Sequence, residues 1–177
     1  MSAGSSKLKA RGPKLRVALI GKSGAGKSEV AKVLNAEYGA EVIKTGAICR
    51  SISQLLFGNQ DKGSTQKLDD ALTRIDESIF LRAALRTANL AKPFVIDSLR
   101  FRSDLVLARE NGCMILRVVS GDNLRVSRLV ARGQVFDLAE NGAHRSENEL
   151  DDAACDATLS NTGNLEELAE KVRATFR

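Results

Sequence analysis

Residues 16–28 read Arg-Val-Ala-Leu-Ile-Gly-Lys-Ser-Gly-Ala-Gly-Lys-Ser, and the reading of this stretch decides the fold. Val17 to Ile20 is a short apolar run, β-branched at both ends and stopped by Gly21. A run apolar at every position suits a strand buried on both faces, as in a parallel sheet. Gly21 to Ser28 then spells GxxxxGK[ST], and Val30, Val33 and Leu34 follow at helical spacing. Between a strand and a helix, the glycines let successive backbone amides turn toward phosphate oxygens. The helix start adds its own amides and the positive end of its dipole. The pattern assigns Ser23, Gly24, Ala25, Gly26, Lys27, Ser28 and Glu29 to the binding of ATP. Lys27 is expected to bridge the β- and γ-phosphates, and the Ser28 hydroxyl to ligate Mg²⁺.

Similar apolar runs recur at Val42-Ile43, Phe94 to Ile96, Met114 to Val119 and Ala157 to Leu159. Helical patterns separate them, around Ile52 to Leu56, Ile79 to Leu85, Leu105 to Ala108 and Leu165 to Val172. Strands alternating with helices predict βαβ crossovers. The expected architecture is a three-layer α/β/α P-loop NTPase domain, and a resemblance to nucleoside monophosphate kinases carried by Thr45 to Arg50 and Asp97 to Arg102 implies the nucleotide kinase type. Its five-stranded parallel sheet has the strand at Arg16 in the centre and ligands at the carboxyl ends of the strands. The domain is expected over 16–177. Two polar, turn-rich segments, Gly58 to Lys67 and Gly133 to Ser146, read as long loops that move, the second as a lid around 133–146.

The net charge is +5, and Lys7, Lys9, Arg11, Lys14 and Arg16 account for it, leaving 22 basic and 22 acidic residues. Residues 1–15 read as a flexible basic tail, either merely solvated or in contact with polyanions such as nucleic acid. Cys49, Cys113 and Cys155 are odd in number, form no CxxC pair, and with one histidine make no ordinary zinc site. No apolar stretch approaches the ~20 residues of a membrane helix, and no signal-peptide core is visible. A reduced cytoplasmic protein with no membrane partner is expected. A guanine-reading NKxD or TKxD is absent, and the length matches a small-molecule kinase better than a large ATPase.

Several segments resemble nucleoside monophosphate kinases. Thr45-Gly46-Ala47-Ile48-Cys49-Arg50 resembles the TGDxxR segment of adenylate kinases, with Ala47 in place of the acid. The resemblance implies acceptor contacts from Thr45, Gly46 and Arg50, the arginine pairing with a phosphate. Phe94-Val95-Ile96-Asp97 resembles a Walker B strand, with Asp97 holding Mg²⁺ or orienting the acceptor; an Asp here would also serve to cap the next helix. Asp97 to Arg102, DSLRFR, resembles the D-x-x-R-F segment of phage-type deoxynucleoside monophosphate kinases, which implies that Arg100, with Arg102 beside it, contacts substrate phosphate. Arg125, Arg128 and Arg132 share one helical face, and Arg128 to Arg132 resembles the RLxxR stretch before the lid of dephospho-coenzyme A kinases. That implies a catalytic part for Arg128 and Arg132 beside Lys27 and Asp97; a solvated basic face has the same pattern. His144-Arg145-Ser146-Glu147 resembles the HxSE segment of the phage-type enzymes, while Ser146 and Glu149 also fit a helix start. Asn161-Thr162-Gly163 resembles the N-x-G loop that lies beside adenine in these families, which adds Asn161 and Gly163 to the ATP contacts.

The expected activity is transfer of the ATP γ-phosphoryl group to a (deoxy)nucleoside monophosphate, a small-molecule nucleotide substrate. The alternatives are a kinase for a hydroxyl of dephospho-coenzyme A, a DNA end or a modified base, and a nucleotide-binding ATPase or regulator. The resemblance implies a phage-encoded enzyme acting in a host cytoplasm.

Overall fold

Strand β1 (Arg16–Ile20) is central because both of its faces are apolar. Ala18 and Ile20 enter one core with Leu81, Leu85, Ile96 and Ile115, while Val17 and Leu19 enter the other with Val30, Leu34, Leu116, Leu168 and Val172. All four apolar residues of the strand are completely buried. At roughly 1.5–3 kcal/mol for each large aliphatic side chain, they anchor both layers. The computed structural model describes residues 15–133 and 148–176.

After β1 come α1 (Lys27–Tyr38), β2 (Glu41–Ile43), α2 (Thr45–Phe57), α3 (Lys62–Thr73), α4 (Ile79–Thr87) and β3 (Phe94–Ile96). Then follow α5 (Arg102–Glu110), β4 (Met114–Val119), α6 (Asp122–Ala131), β5 (Ala157–Ser160) and α7 (Leu165–Phe176). The sheet is parallel throughout, in the order β2-β3-β1-β4-β5, with Val17 opposite Val95 on one side and Met114 on the other. The order runs both ways from β1, so the carboxyl ends of β1, β3 and β4 open a crevice at its tip. α1 and α7 cover one face; α4 and α5 cover the other. A third, smaller cluster of Cys49, Leu68 and Phe80 joins α2, α3 and α4.

The segment Gly58 to Lys67 is not a loop. Its second half is helix, because Asp61 caps α3: its carboxylate accepts from the Ser64 amide at 2.9 Å and the Ser64 hydroxyl at 2.8 Å. Those bonds hold the Asp61 carboxyl below the usual carboxylate range. Leu68, buried against Cys49 and Phe80, ties the helix down. The lid expectation at 133–146, with His144 and Ser146, falls outside the described residues apart from Gly133, and so does the tail before Leu15. No helix among the described residues is long and apolar enough to cross a membrane.

Candidate active site

The loop from Gly21 to Gly26 joins β1 to α1 in the expected strand–loop–helix order. Gly24 and Gly26 have φ of 77° and 105°, conformations that side chains with a Cβ rarely adopt. Both also sit where a Cβ would collide, Gly24 against the Arg125 carbonyl and Gly26 against the Asn161 amide nitrogen. Gly26 precedes α1 without a side-chain cap, and its own carbonyl accepts from the Glu29 amide at 3.0 Å, so the positive end of the helix faces the loop. Lys27, the first helical residue, donates to the carbonyls of Gly21 at 2.6 Å and Lys22 at 3.1 Å. Ser23 and Ala25 complete the loop, with Ala25 buried.

At the tip of β3, Asp97 faces the first turn of α1. The Ser28 hydroxyl donates to Asp97 Oδ2 at 3.2 Å, while Oδ1 is buried and has no hydrogen-bond partner among the described residues. A buried carboxylate oxygen left unpaired carries a desolvation penalty that a cation would relieve. One carboxylate and one hydroxyl beside the glycine loop fit the sparse protein donor set of Mg²⁺, which keeps several waters and takes other ligands from a phosphate where one is bound. No cluster of three or more His, Cys, Asp or Glu residues that could hold a metal occurs among the described residues. Asp97 does not cap α5. It is Asp104 Oδ2 that accepts from the amides of Arg100 and Phe101, at 3.0 and 3.2 Å, ahead of that helix. Burial pushes the Asp104 carboxyl up, against the pull of the Arg100 amide.

On the other side of the loop stands α6. Of its three arginines, Arg125 and Arg128 turn into the protein, while Arg132 is exposed. Arg125 is only 3% exposed, 3.3 Å from Asp122, and helps line a cavity of about 220 Å³ with Lys22, Arg117 and Ser120. Arg128 donates to Ser120 Oγ at 3.1 Å and to the Asn161 carbonyl at 3.2 Å. Arg132 approaches Glu29, 3.8 Å away, which also pairs with Lys32 at 2.9 Å. Asn161 is buried and donates from Nδ2 to the Ala25 carbonyl at 2.8 Å. Gly163 lies under the Glu167 carboxylate, further along the same turn.

The acceptor-side residues are less uniform. Thr45 and Gly46 open α2, and Arg50 stands one turn on, exposed and without an ion pair among the described residues. Arg100 is engaged: Nη1 and Nη2 both donate to Asp69, at 3.0 and 2.8 Å, and its guanidinium lies near the rings of Phe101 and Phe80, at 5.4 and 6.0 Å. The expectation that Arg100 stands ready for a substrate phosphate therefore meets a carboxylate already in its fork. Asp69 was not legible, since nothing in its helical pattern marks a partner 31 residues away. Arg50, Arg100 and Asp69 all act electrostatically on the Cys49 thiol, which burial pushes up, so the four groups share one region. Arg102 is directed elsewhere: its amide donates to Glu149 at 2.8 Å and its guanidinium pairs with Asp152 at 2.6 Å. Together with the Lys22–Asp151 pair at 3.1 Å, it pins residues 149–152 beside the loop.

The parallel sheet in this order, with a glycine loop at the tip of its central strand, defines a P-loop kinase fold. Solved structures share it along nearly the whole chain. Thermus thermophilus TT1252 is 22% identical, with a TM-score of 0.59 over 92% of this chain and 96% of its own. A shikimate kinase from Acinetobacter baumannii is 16% identical, with a TM-score of 0.57 over 90% and 91%. A gluconokinase from Sinorhizobium meliloti, also 16% identical, gives 0.55 over 91% and 90%. At these identities the likeness is one of fold. No protein-family model and no curated protein matches the sequence.

Proposed function

We propose that the protein is an ATP-dependent phosphotransferase that moves the γ-phosphoryl group of ATP to the phosphate of a (deoxy)nucleoside monophosphate, yielding a diphosphate and ADP. The observation that carries the kinase reading is the Ser28–Asp97 pair with its unpartnered Oδ1, set beside the glycine loop and Lys27. When bound there, Mg²⁺ would neutralise charge on the β- and γ-phosphates. Lys27 would exchange the Gly21 and Lys22 carbonyls for phosphate oxygens. Arg132 and Arg128 flank the loop from α6 and add positive charge where negative charge spreads in transfer. A phosphate acceptor is already an oxyanion and needs no strong base, so positioning by Arg50, Thr45 and Gly46 is the main requirement.

One observation favours a second reading, a hydroxyl acceptor. Asp69 neutralises Arg100, and a carboxylate–arginine pair offers both acceptors and donors to a neutral polyol or sugar. Asp97 would then take the hydroxyl proton. Two of the proteins that share the fold are a shikimate kinase and a gluconokinase, each named for an acceptor that carries hydroxyls. The deciding experiment incubates protein, Mg²⁺ and γ-labelled ATP with monophosphates, dephospho-coenzyme A, sugar acids and DNA, and follows the label. Label on a monophosphate supports the first reading, and label only on a hydroxyl substrate supports the second. ATP hydrolysis that no acceptor stimulates would overturn both.

A further inference from the structure

We propose that Asn161 is a positioning residue that clamps the phosphate-binding loop, rather than a contact to the base of the nucleotide; this rests on the ATP-binding reading of the loop. Every part of Asn161 is committed within the protein. Its amide donates to the Val119 carbonyl at 2.8 Å, continuing the β4–β5 ladder one residue past Ser160. Its carbonyl accepts from Arg128 at 3.2 Å, and Oδ1 lies 3.4 Å from the same guanidinium nitrogen. Nδ2 donates to the Ala25 carbonyl at 2.8 Å, across 136 residues of sequence. The residue is 4% exposed, so little of the side chain is left to meet a ligand.

The bond falls at a sensitive place. Ala25 and Gly26 are the last loop residues before Lys27, and the direction of the Ala25–Gly26 peptide fixes where the next amides point. Gly26 is held at φ 105° with the Asn161 amide where its Cβ would be. The Asn161 amide thus adds a steric reason to the backbone one for the glycine at 26. A mispointed loop loses its hold on phosphates, not on the nucleoside. Arg128 joins the clamp from α6, so the segment leading out of α6 toward Gly133 is coupled to the loop through one buried amide.

Two variants separate the interactions. Asn161→Asp keeps the size and the side-chain oxygen near Arg128 but offers no donor to Ala25. Asn161→Ala removes the side-chain oxygen and the donor and leaves only the backbone carbonyl to Arg128. Each is measured by calorimetric titration with ATP, with ADP and with inorganic tripolyphosphate, which carries no base, all in Mg²⁺, beside its melting temperature. Losing one buried hydrogen bond that orders the loop should weaken all three by about tenfold in both variants, while each remains folded. A lost base contact would weaken the nucleotides and leave tripolyphosphate unchanged, which would overturn the clamp. A residue that only supports the fold would lower the melting temperature and leave the affinity of the folded protein unchanged. Folded variants within twofold of the wild-type affinities would therefore overturn the clamp. Wild-type protein that binds neither nucleotide would instead sink the ATP reading, and the clamp with it. If neither variant folds, the wild-type protein still decides: the Asn161 side-chain amide protons should exchange slowly and shift when ADP is added. Fast exchange, or no shift at saturating ADP, counts against the proposal.

Discussion

Lys27 folds back onto its own loop, donating to the carbonyls of Gly21 and Lys22. Replacing it by alanine should lower turnover by about two orders of magnitude or more in a protein that still folds, since a charge aimed at the transferring group is lost. Near-normal turnover in Lys27→Ala would remove the loop from the mechanism. The acceptor side yields a sharper test. Asp69→Asn releases the Arg100 fork while leaving a neutral partner of the same size. With a phosphate-bearing acceptor, the freed fork should lower the acceptor KM by several-fold to about tenfold, the worth of one charge-assisted hydrogen bond to phosphate. With a hydroxyl acceptor the same change removes a hydrogen-bond acceptor and raises KM. Arg50→Ala should raise the KM of a monophosphate by about ten- to a hundredfold and leave the ATP KM alone. Steady-state kinetics in both substrates reads all three variants. Lys27, Ser28 and Asp97 were legible because a contiguous motif and the end of an apolar strand mark them. Asp69 and Asp104 were not. Their importance lies in what they touch across the fold, the Arg100 guanidinium and the amides before α5, and single-sequence patterns carry no record of partners.

At the scale of elements, β1 to β4 were readable because each carries successive apolar residues, β5 less so because Ala-Thr-Leu-Ser alternates, and the helices because their apolar stripes face a core. α3 was hidden. Its first turn, Lys-Gly-Ser-Thr, is polar and carries Gly63, and Leu68 is the one deeply buried residue among those of the helix whose side chains are described. The signal that would have found it is Asp61 three residues before Ser64, a cap without an apolar run behind it. The cap gives a pH dependence with a definite sign. Hydrogen bonds from Ser64 lower the Asp61 carboxyl in the folded protein, so its stabilisation is present above the ordinary carboxylate range and is lost as pH falls through the lowered value. The gap in melting temperature between wild type and Asp61→Ala should therefore stay constant near neutrality and shrink as the pH drops below about 4. A gap that widens in acid would contradict the capping role. Because α3 also carries Asp69, loosening it should change acceptor kinetics before ATP kinetics, which links the cap to the site.

For the whole molecule, the placement of the site follows from the sheet. β1 is the one strand with neighbours on both sides that belong to different βαβ runs, so its tip, where Gly21 begins the loop, meets β3 through Asp97 and Ser28 and meets β4 and β5 through Val118 and Asn161. A ligand at that tip touches both halves and exists only in the native fold, so it should stabilise the molecule by mass action. At a concentration about a hundred times its Kd, ATP with Mg²⁺ should add about 2.7 kcal/mol, which for a chain of this size is a rise in melting temperature of roughly 5–10 °C. The metal dependence of that rise is the informative part. Ser28 and Asp97 alone supply too few oxygens to hold Mg²⁺ tightly, so the metal without nucleotide should shift the melting temperature by little. ATP with a chelator should give a clearly smaller rise than ATP with Mg²⁺, and Asp97→Asn should bring the two close together, because the Oδ1 left unpartnered in the fold would no longer be an anion. Equal shifts with and without Mg²⁺ in the wild-type protein would mean that Asp97 does not serve the metal. The unpartnered oxygen would then be left to a proton acceptor's role, and the hydroxyl-acceptor reading would take precedence.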